Sequence, residues 1–233
     1  MNPFDKRAPK WDTEAKVARS EFLAGAIGKV LEGKNPDGRQ LEAMEYGCGT
    51  GLVGLAMRDR FSRLVLADSS QGMIEAVQEK IKRMPDPRVE ARLLDLSEGE
   101  PNVGEDIFDV IFSVQTLHHI RDVDTTLRNL RCLLRPGGTL VLIDMDADGG
   151  EFHRDFENFQ GHHGFDRQWL TERVTEAGFE VGSVATINGL ERSSKRAHGS
   201  LSSSQHRGPH RSTLFLLDAV AADPWAGLRG SDL

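Results

Sequence analysis

Four glycines fall within eight residues of the stretch "MEYGCGTGLVG", Met44 to Gly54, directly after a short apolar run. Glycine reaches positive φ without a Cβ penalty and lets another group approach the backbone closely, so such a cluster marks a tight turn. From Gly49 the letters read G-x-G-x-x-G; from Glu45 they read E-x-G-x-G-x-G. The preceding "QLEAMEY" has the apolar content of a buried strand, and "LVGLAMRD" continues as a helix. A glycine turn between strand and helix is the setting in which a ligand meets free helix N–H groups.

The rest of the chain repeats that unit. Val17, Phe22, Ala26 and Val30, with Leu23, Ile27 and Leu31 beside them, recur at helical spacing from Thr13 to Glu32, and "GKNPDG" breaks the helix. "RLVLADSS" reads as a second strand ending in Asp68, with Ser70 placed to cap a helix carrying Met73, Val77, Ile81 and Met84 on one face. "VEARLLDL" and "FDVIFSV" are strands three and four. Val123, Leu127, Leu130 and Leu134 mark a helix that "RPGG" stops, and "TLVLIDMD" is the fifth strand. This alternation predicts a parallel sheet covered on both faces. The chain closes differently: after a helix from Arg167 to Ala177, "FEVGSVATI" and "STLFLLDAVA" follow with no helix between them, which predicts antiparallel neighbours.

Bulk properties narrow the function classes. The 233 residues suffice for one large domain, and 38% hydrophobic with 28% charged residues describes a globular, water-soluble chain with no apolar run of membrane-spanning length. "MNPFDKRAPKWD" lacks a secretory apolar core, so a cytoplasmic location is expected. Cys48 and Cys132 are far apart and match neither a disulfide framework nor a zinc spacing. A net charge of −7 argues against a dedicated nucleic-acid binder and favours a small-molecule partner.

The glycine turn alone leaves two cofactors open. A nicotinamide dinucleotide is one, since Asp68 stands about twenty residues downstream, where a carboxylate binds ribose hydroxyls. The ending separates the two, because a dinucleotide fold continues with a further parallel strand or a substrate domain. Taken together, "MEYGCGTG", "LVLADSSQGMI", "LLDL", "FDVIFSVQTLHHI" and "LLRPGGTLVLID" come in the order and spacing of five motifs, and the chain from about Trp11 to Ala221 resembles the class I S-adenosylmethionine-dependent methyltransferases. The resemblance implies a Rossmann-like, doubly wound α/β sheet of seven strands, mostly parallel with an antiparallel last strand. It implies an N-terminal helical lid in residues 1–36, a cofactor-binding domain in 37–222 and a tail in 223–233; within the domain, the Ser- and Gly-rich composition of 188–212 reads as a mobile loop.

The resemblance also assigns residues. Glu45 attracts the methionine ammonium, with helix capping as its structural alternative. Gly47, Gly49 and Gly51 let the loop backbone lie on the cofactor, Asp68 takes both ribose hydroxyls, and Ser69 and Met73 border the adenine. Asp95 takes the adenine amino group, Leu96 offers a backbone N–H, and the chain from Ser113 to Gln115 lines the crevice. Gly54 is assigned to helix packing.

His118 and His119 follow at the carboxyl end of the fourth strand, where a neutral imidazole can take a proton from an acceptor, and His153 joins them as a base or substrate contact. Trp11 and Phe4 stand where the family folds an aromatic over the pocket, and His162 and His163 are expected at the substrate. His153, His162 and His163 match no metal-ligand spacing, so no metal is expected. The expected activity is methyl transfer from S-adenosylmethionine to a small-molecule acceptor; a NAD(P)-dependent oxidoreductase and a silent cofactor-binding protein are the alternatives. The segment Asn188 to Ser212, rich in Ser, His and Arg, is not explained by the resemblance.

Overall fold

The computed structural model describes residues 2–35, 38–99, 107–154, 159–191 and 211–222. Seven strands form one sheet in the order β3-β2-β1-β4-β5-β7-β6. They are β1 Leu41–Tyr46, β2 Phe61–Asp68, β3 Val89–Leu93, β4 Phe108–Val114, β5 Leu134–Met145, β6 Phe179–Glu191 and β7 Arg211–Ala221. The first five pair in parallel, while β7 lies antiparallel between β5 and β6. The expected antiparallel closure is therefore present, and it departs from the all-parallel order of dinucleotide folds.

Among the described residues five α-helices cover the sheet: α1 Glu14–Lys34, α2 Leu52–Met57, α3 Gln71–Arg83, α4 Val123–Cys132 and α5 Arg167–Glu176. Their starts are set by side-chain caps. Thr13, Ser70, Asp122 and Asp166 each accept a hydrogen bond from the N–H three residues on, replacing a bond the first turn cannot make internally. One face of the sheet packs Ala43, Leu64, Leu66, Val110, Phe112, Val141 and Ile143 against α1, α2 and α3; the other packs Met44, Val65, Ile111, Leu140 and Leu142 against α4 and α5. Residues adjacent in one strand thus serve opposite faces, as the two-residue period of a strand requires.

Several details differ from the sequence-based expectation. In α1 the buried stripe is Leu23, Ala24, Ile27 and Leu31, whereas Val17 and Phe22 are exposed. Two apolar sets fit helical spacing there, and tertiary packing selects one. "RPGG" lies inside β5 rather than ending a helix: α4 stops at Cys132, Leu134 already pairs with Phe108, and the register jumps to Val110 opposite Thr139, so the glycines occupy a bulge. Met84 lies just past α3 and is exposed, because the helix ends at Arg83. β6 and β7 are longer than expected, pairing through Glu191 and Arg211, so Asn188 to Glu191 and Arg211 to Ser212 are strand and not loop. Residues 192–210, with Arg192, Lys195, Arg196 and Arg207, lie outside the described residues, as does the tail 223–233. Among the described residues no helix is long and apolar enough to cross a membrane.

Candidate active site

The carboxyl ends of β1, β2 and β4 open onto a cavity of about 820 Å³, within the roughly 300–1,000 Å³ usual for ligand pockets. The glycine turn forms its floor. Gly47, Gly49 and Gly51 all have positive φ, at 73°, 55° and 78°. Gly47 has the strictest requirement: a Cβ there would stand 2.0 Å from the Thr116 Cγ2 atom. Thr116 in turn donates its hydroxyl to the Gly47 carbonyl at 3.0 Å, locking the turn from β1 to the chain leaving β4. Gly54 faces Leu66 and Glu45 instead, so it serves helix packing as expected.

Glu45 is almost fully buried at the end of β1, and its Oε2 accepts the Gly54 N–H at 2.8 Å. The capping role is therefore present in this structure, and the side chain also borders the cavity. Burial, reinforced by nearby Asp68, pushes its carboxyl up to about 8. Asp68 accepts the Gly49 N–H on Oδ2 and the Ser70 N–H on Oδ1, each at 2.8 Å. Both oxygens keep accepting capacity toward the cavity, which Asp68 lines together with Ser69, Met73 and Asp95. Burial raises the Asp68 carboxyl as well.

Three assigned residues are displaced from the wall: Gly51, where a Cβ would meet Leu66 and Val77 rather than the cavity, and Leu96 and Ser113. The Leu96 N–H donates to the Tyr46 hydroxyl at 3.0 Å, the Leu96 carbonyl accepts from Asn129, and the side chain is fully buried. It cannot offer that N–H to an adenine. Ser113 donates its hydroxyl to the Tyr46 carbonyl at 2.8 Å and stitches β4 to β1 from inside. Val114, Gln115 and Thr116 line the cavity in its place, with Gln115 at φ 51° turning the chain outward.

The N-terminal segment closes the top. Phe4 and Trp11 both line the cavity and meet edge-on at 5.9 Å. Asp5 accepts from the Ser70 hydroxyl at 2.7 Å, and Asp12 accepts from Thr50 at 2.5 Å while pairing with Lys80 at 2.7 Å. These bonds strap the segment to the glycine turn and α3. Sequence reading did not single out Lys16 and Arg19, which line the same cavity from α1. Lys16 lies over the Trp11 ring at 3.2 Å, and burial lowers it to about 8; burial lowers Arg19 too. Neither makes an ion pair among the described residues. Their spacing of three is the only sequence signal they give.

Histidines form the far wall. His118 follows β4 on the 3-10 turn Leu117–His119, and its Nδ1 lies 2.6 Å from the Oδ1 of Asp144 on β5; both residues are almost fully buried. A carboxylate only accepts, so Nδ1 donates and Nε2 is left to the cavity side of the ring. The same carboxyl group accepts the His118 N–H at 3.2 Å and the Met145 N–H at 2.8 Å. His119 packs 4.9 Å from Phe4, and burial, with His118, His153 and Arg7 close by, lowers it to about 2, so it is a neutral imidazole. His153 reaches the wall from the loop after β5, buried and stacked on Phe159 at 3.9 Å. The glycine at 161 lets this loop cross the His118 carbonyl, which a Cβ there would approach to 2.1 Å.

His162 and His163 do not line the cavity, contrary to expectation. The His162 N–H donates to the His118 carbonyl, and its ring lies between Arg121 and Trp169; His163 packs behind His153 at 5.8 Å. A turn at Gly164 carries them back toward Asp146. Cys48 borders the cavity, but burial pushes its thiol well up, which removes it as a thiolate nucleophile.

A family model described as "Methyltransferase domain" matches residues 44–140. That stretch, from the end of β1 into β5, is similar to a methyltransferase domain. It is 35% identical over 158 residues to the fumosorinone synthetase of Cordyceps fumosorosea, covering 65% of this chain and 4% of that protein. It is 30% identical over 118 residues to the uncharacterized methyltransferase C1347.09 of Schizosaccharomyces pombe, covering 48% and 42%. The chain thus spans well under two thirds of these relatives. A crystal structure of a SAM-dependent methyltransferase from Aquifex aeolicus superposes with a TM-score of 0.65 at 16% identity, covering 94% of this chain and 98% of that one. The seven-stranded methyltransferase sheet is therefore the fold, and the nicotinamide reading of the glycine turn is not favoured.

Proposed function

We propose that this chain transfers the methyl group of S-adenosylmethionine to a small-molecule acceptor held against His118, His119 and His153. The observation that carries the reading is the continuity of one cavity, from the glycine turn and Asp68 at one end to the three histidines at the other. The residues present fit the cofactor. Gly47 and Gly49 offer backbone with no side chain, Asp68 offers two oxygens to vicinal ribose hydroxyls, and Ser69, Met73 and Asp95 would border the adenine. Glu45 would meet the ammonium, and Lys16 with Arg19 would supply two partly desolvated cations for the methionine carboxylate.

The sulfonium methyl group is already activated. When bound, S-adenosylmethionine would supply that methyl group to the acceptor's electron pair, the carbon–sulfur pair remaining on sulfur. The protein's share is alignment and exclusion of water, which Phe4 and Trp11 perform as a lid belonging to the segment 1–36 over the domain 37–222. The proton lost by the acceptor leaves on the histidine side. Separate free cysteines, Cys48 buried and Cys132 exposed, suit a reducing, cytoplasmic setting.

Incubation with methyl-labelled S-adenosylmethionine and a small-molecule extract tests the reading. Label should enter a low-mass product with equal formation of S-adenosylhomocysteine. Label confined to protein, or none with the cofactor bound, contradicts it.

A further inference from the structure

We propose that His118, His119 and His153 form a binding site for one divalent transition-metal ion such as zinc, with a coordination position left open to the cavity. The three rings come from two separate stretches of chain, yet one nitrogen from each lies within 4.8 Å of the others. Imidazole is the nitrogen ligand that zinc and its neighbours prefer, and three histidines with an open fourth position are a sufficient set. Bonds of about 2.1 Å put tetrahedral donors about 3.4 Å apart, so the nitrogens would close in by at most about 1.4 Å on binding.

The setting independently favours a ligand set over three ordinary core histidines. His118 donates Nδ1 to the buried Asp144 at 2.6 Å, which orients the ring and turns Nε2 into the donor. A carboxyl group behind a ligating histidine is the usual second layer of a metal site. His153 is fixed by its stack on Phe159, with an interplanar angle of 6°. Sequence spacing tested the wrong trio, His153 with His162 and His163; the fold sends His162 toward Arg121 and brings in His118 and His119.

The open position faces the end of the cavity assigned to the acceptor, and only this part of the inference rests on the proposed methyl transfer. An acceptor offering an oxygen donor, a carbonyl or an ionisable hydroxyl, would fill it.

Chelator-treated full-length protein titrated with Co²⁺ tests the site. One Co²⁺ per chain should bind, with visible absorption bands that Zn²⁺ abolishes. His153→Gln and His118→Gln should abolish the bands, Asp144→Asn should weaken binding roughly 10–100-fold, and His162→Gln should leave it unchanged. Calorimetry with S-adenosylhomocysteine on each variant reports whether it is folded. Wild-type protein that binds S-adenosylhomocysteine but no Co²⁺, or folded His153→Gln and His118→Gln variants that bind Co²⁺ undiminished, overturns the metal site and leaves the methyltransferase reading intact. Co²⁺ bound as described without S-adenosylhomocysteine binding supports the site and counts against that reading instead.

Discussion

The two ends of the cavity are built by different means. At the glycine end the wall is mostly backbone and strand-end carboxylates, supplied in order by the chain from Glu45 to Asp95, with φ angles that only glycine adopts freely. At the histidine end the wall is side chain, and its parts meet only in the folded protein: His118 and His119 after β4, Asp144 in β5, His153 beyond it. Backbone geometry fixes what the first end binds, and side-chain choice sets the second. A fold can keep one cofactor and change acceptors by altering the second end alone.

The largest expected effect breaks the first end outright. Gly47→Ala adds a Cβ against Thr116 at a φ of 73°, and positive-φ strain plus overpacking should cost roughly 2–5 kcal/mol in chemical denaturation. Next, Asp68→Ala removes a charged acceptor from the ligand site, so S-adenosylhomocysteine affinity should fall about 10–100-fold by calorimetry while the protein stays folded, with a smaller loss of thermal stability from the unpaired Gly49 and Ser70 N–H groups. Asp144→Asn probes the other end and should show the opposite split. It keeps the shape but loses the carboxylate behind His118, so methyl-transfer turnover should fall about tenfold or more with S-adenosylhomocysteine affinity unchanged. Equal loss of both quantities in either variant would mean that the two ends are not separable.

How far these ends could be read in advance follows from the same difference. Local spacing places Gly47, Gly49 and Asp68 at the cavity, because turn, strand tip and helix start are neighbours in sequence. It misplaces Leu96 and Ser113, since nothing local tells that Tyr46 takes the hydrogen bond of one through its hydroxyl and of the other through its carbonyl. It misses Asp144 as the partner of His118, twenty-six residues away, because strand pairing of β4 with β5 creates that contact. It puts His162 and His163 at the substrate on proximity to His153, while the turn at Gly164 removes them. In α1, both Val17 with Phe22 and Leu23 with Ile27 satisfy helical spacing, and only packing chooses.

The smallest effect sharpens the electrostatic side of the comparison. Glu45 holds its proton to about pH 8 in the folded chain, against a usual value near 4.5, so the folded state carries a proton that the unfolded state has lost between these values. Its contribution to stability is present below pH 4.5 and is lost as pH rises toward 8. Glu45→Gln should flatten that part of the stability–pH curve. In the wild type, a ligand ammonium arriving beside Glu45 should expel the proton, visible as buffer-dependent binding heat near pH 7 that the variant lacks.

Titration of the wild-type protein with S-adenosylhomocysteine and, separately, with NAD and NADP tests the central claim most directly. The account predicts one S-adenosylhomocysteine bound per chain, with heat lost in Asp68→Ala, and no heat from either dinucleotide. Saturable NAD or NADP binding with none of S-adenosylhomocysteine would contradict it.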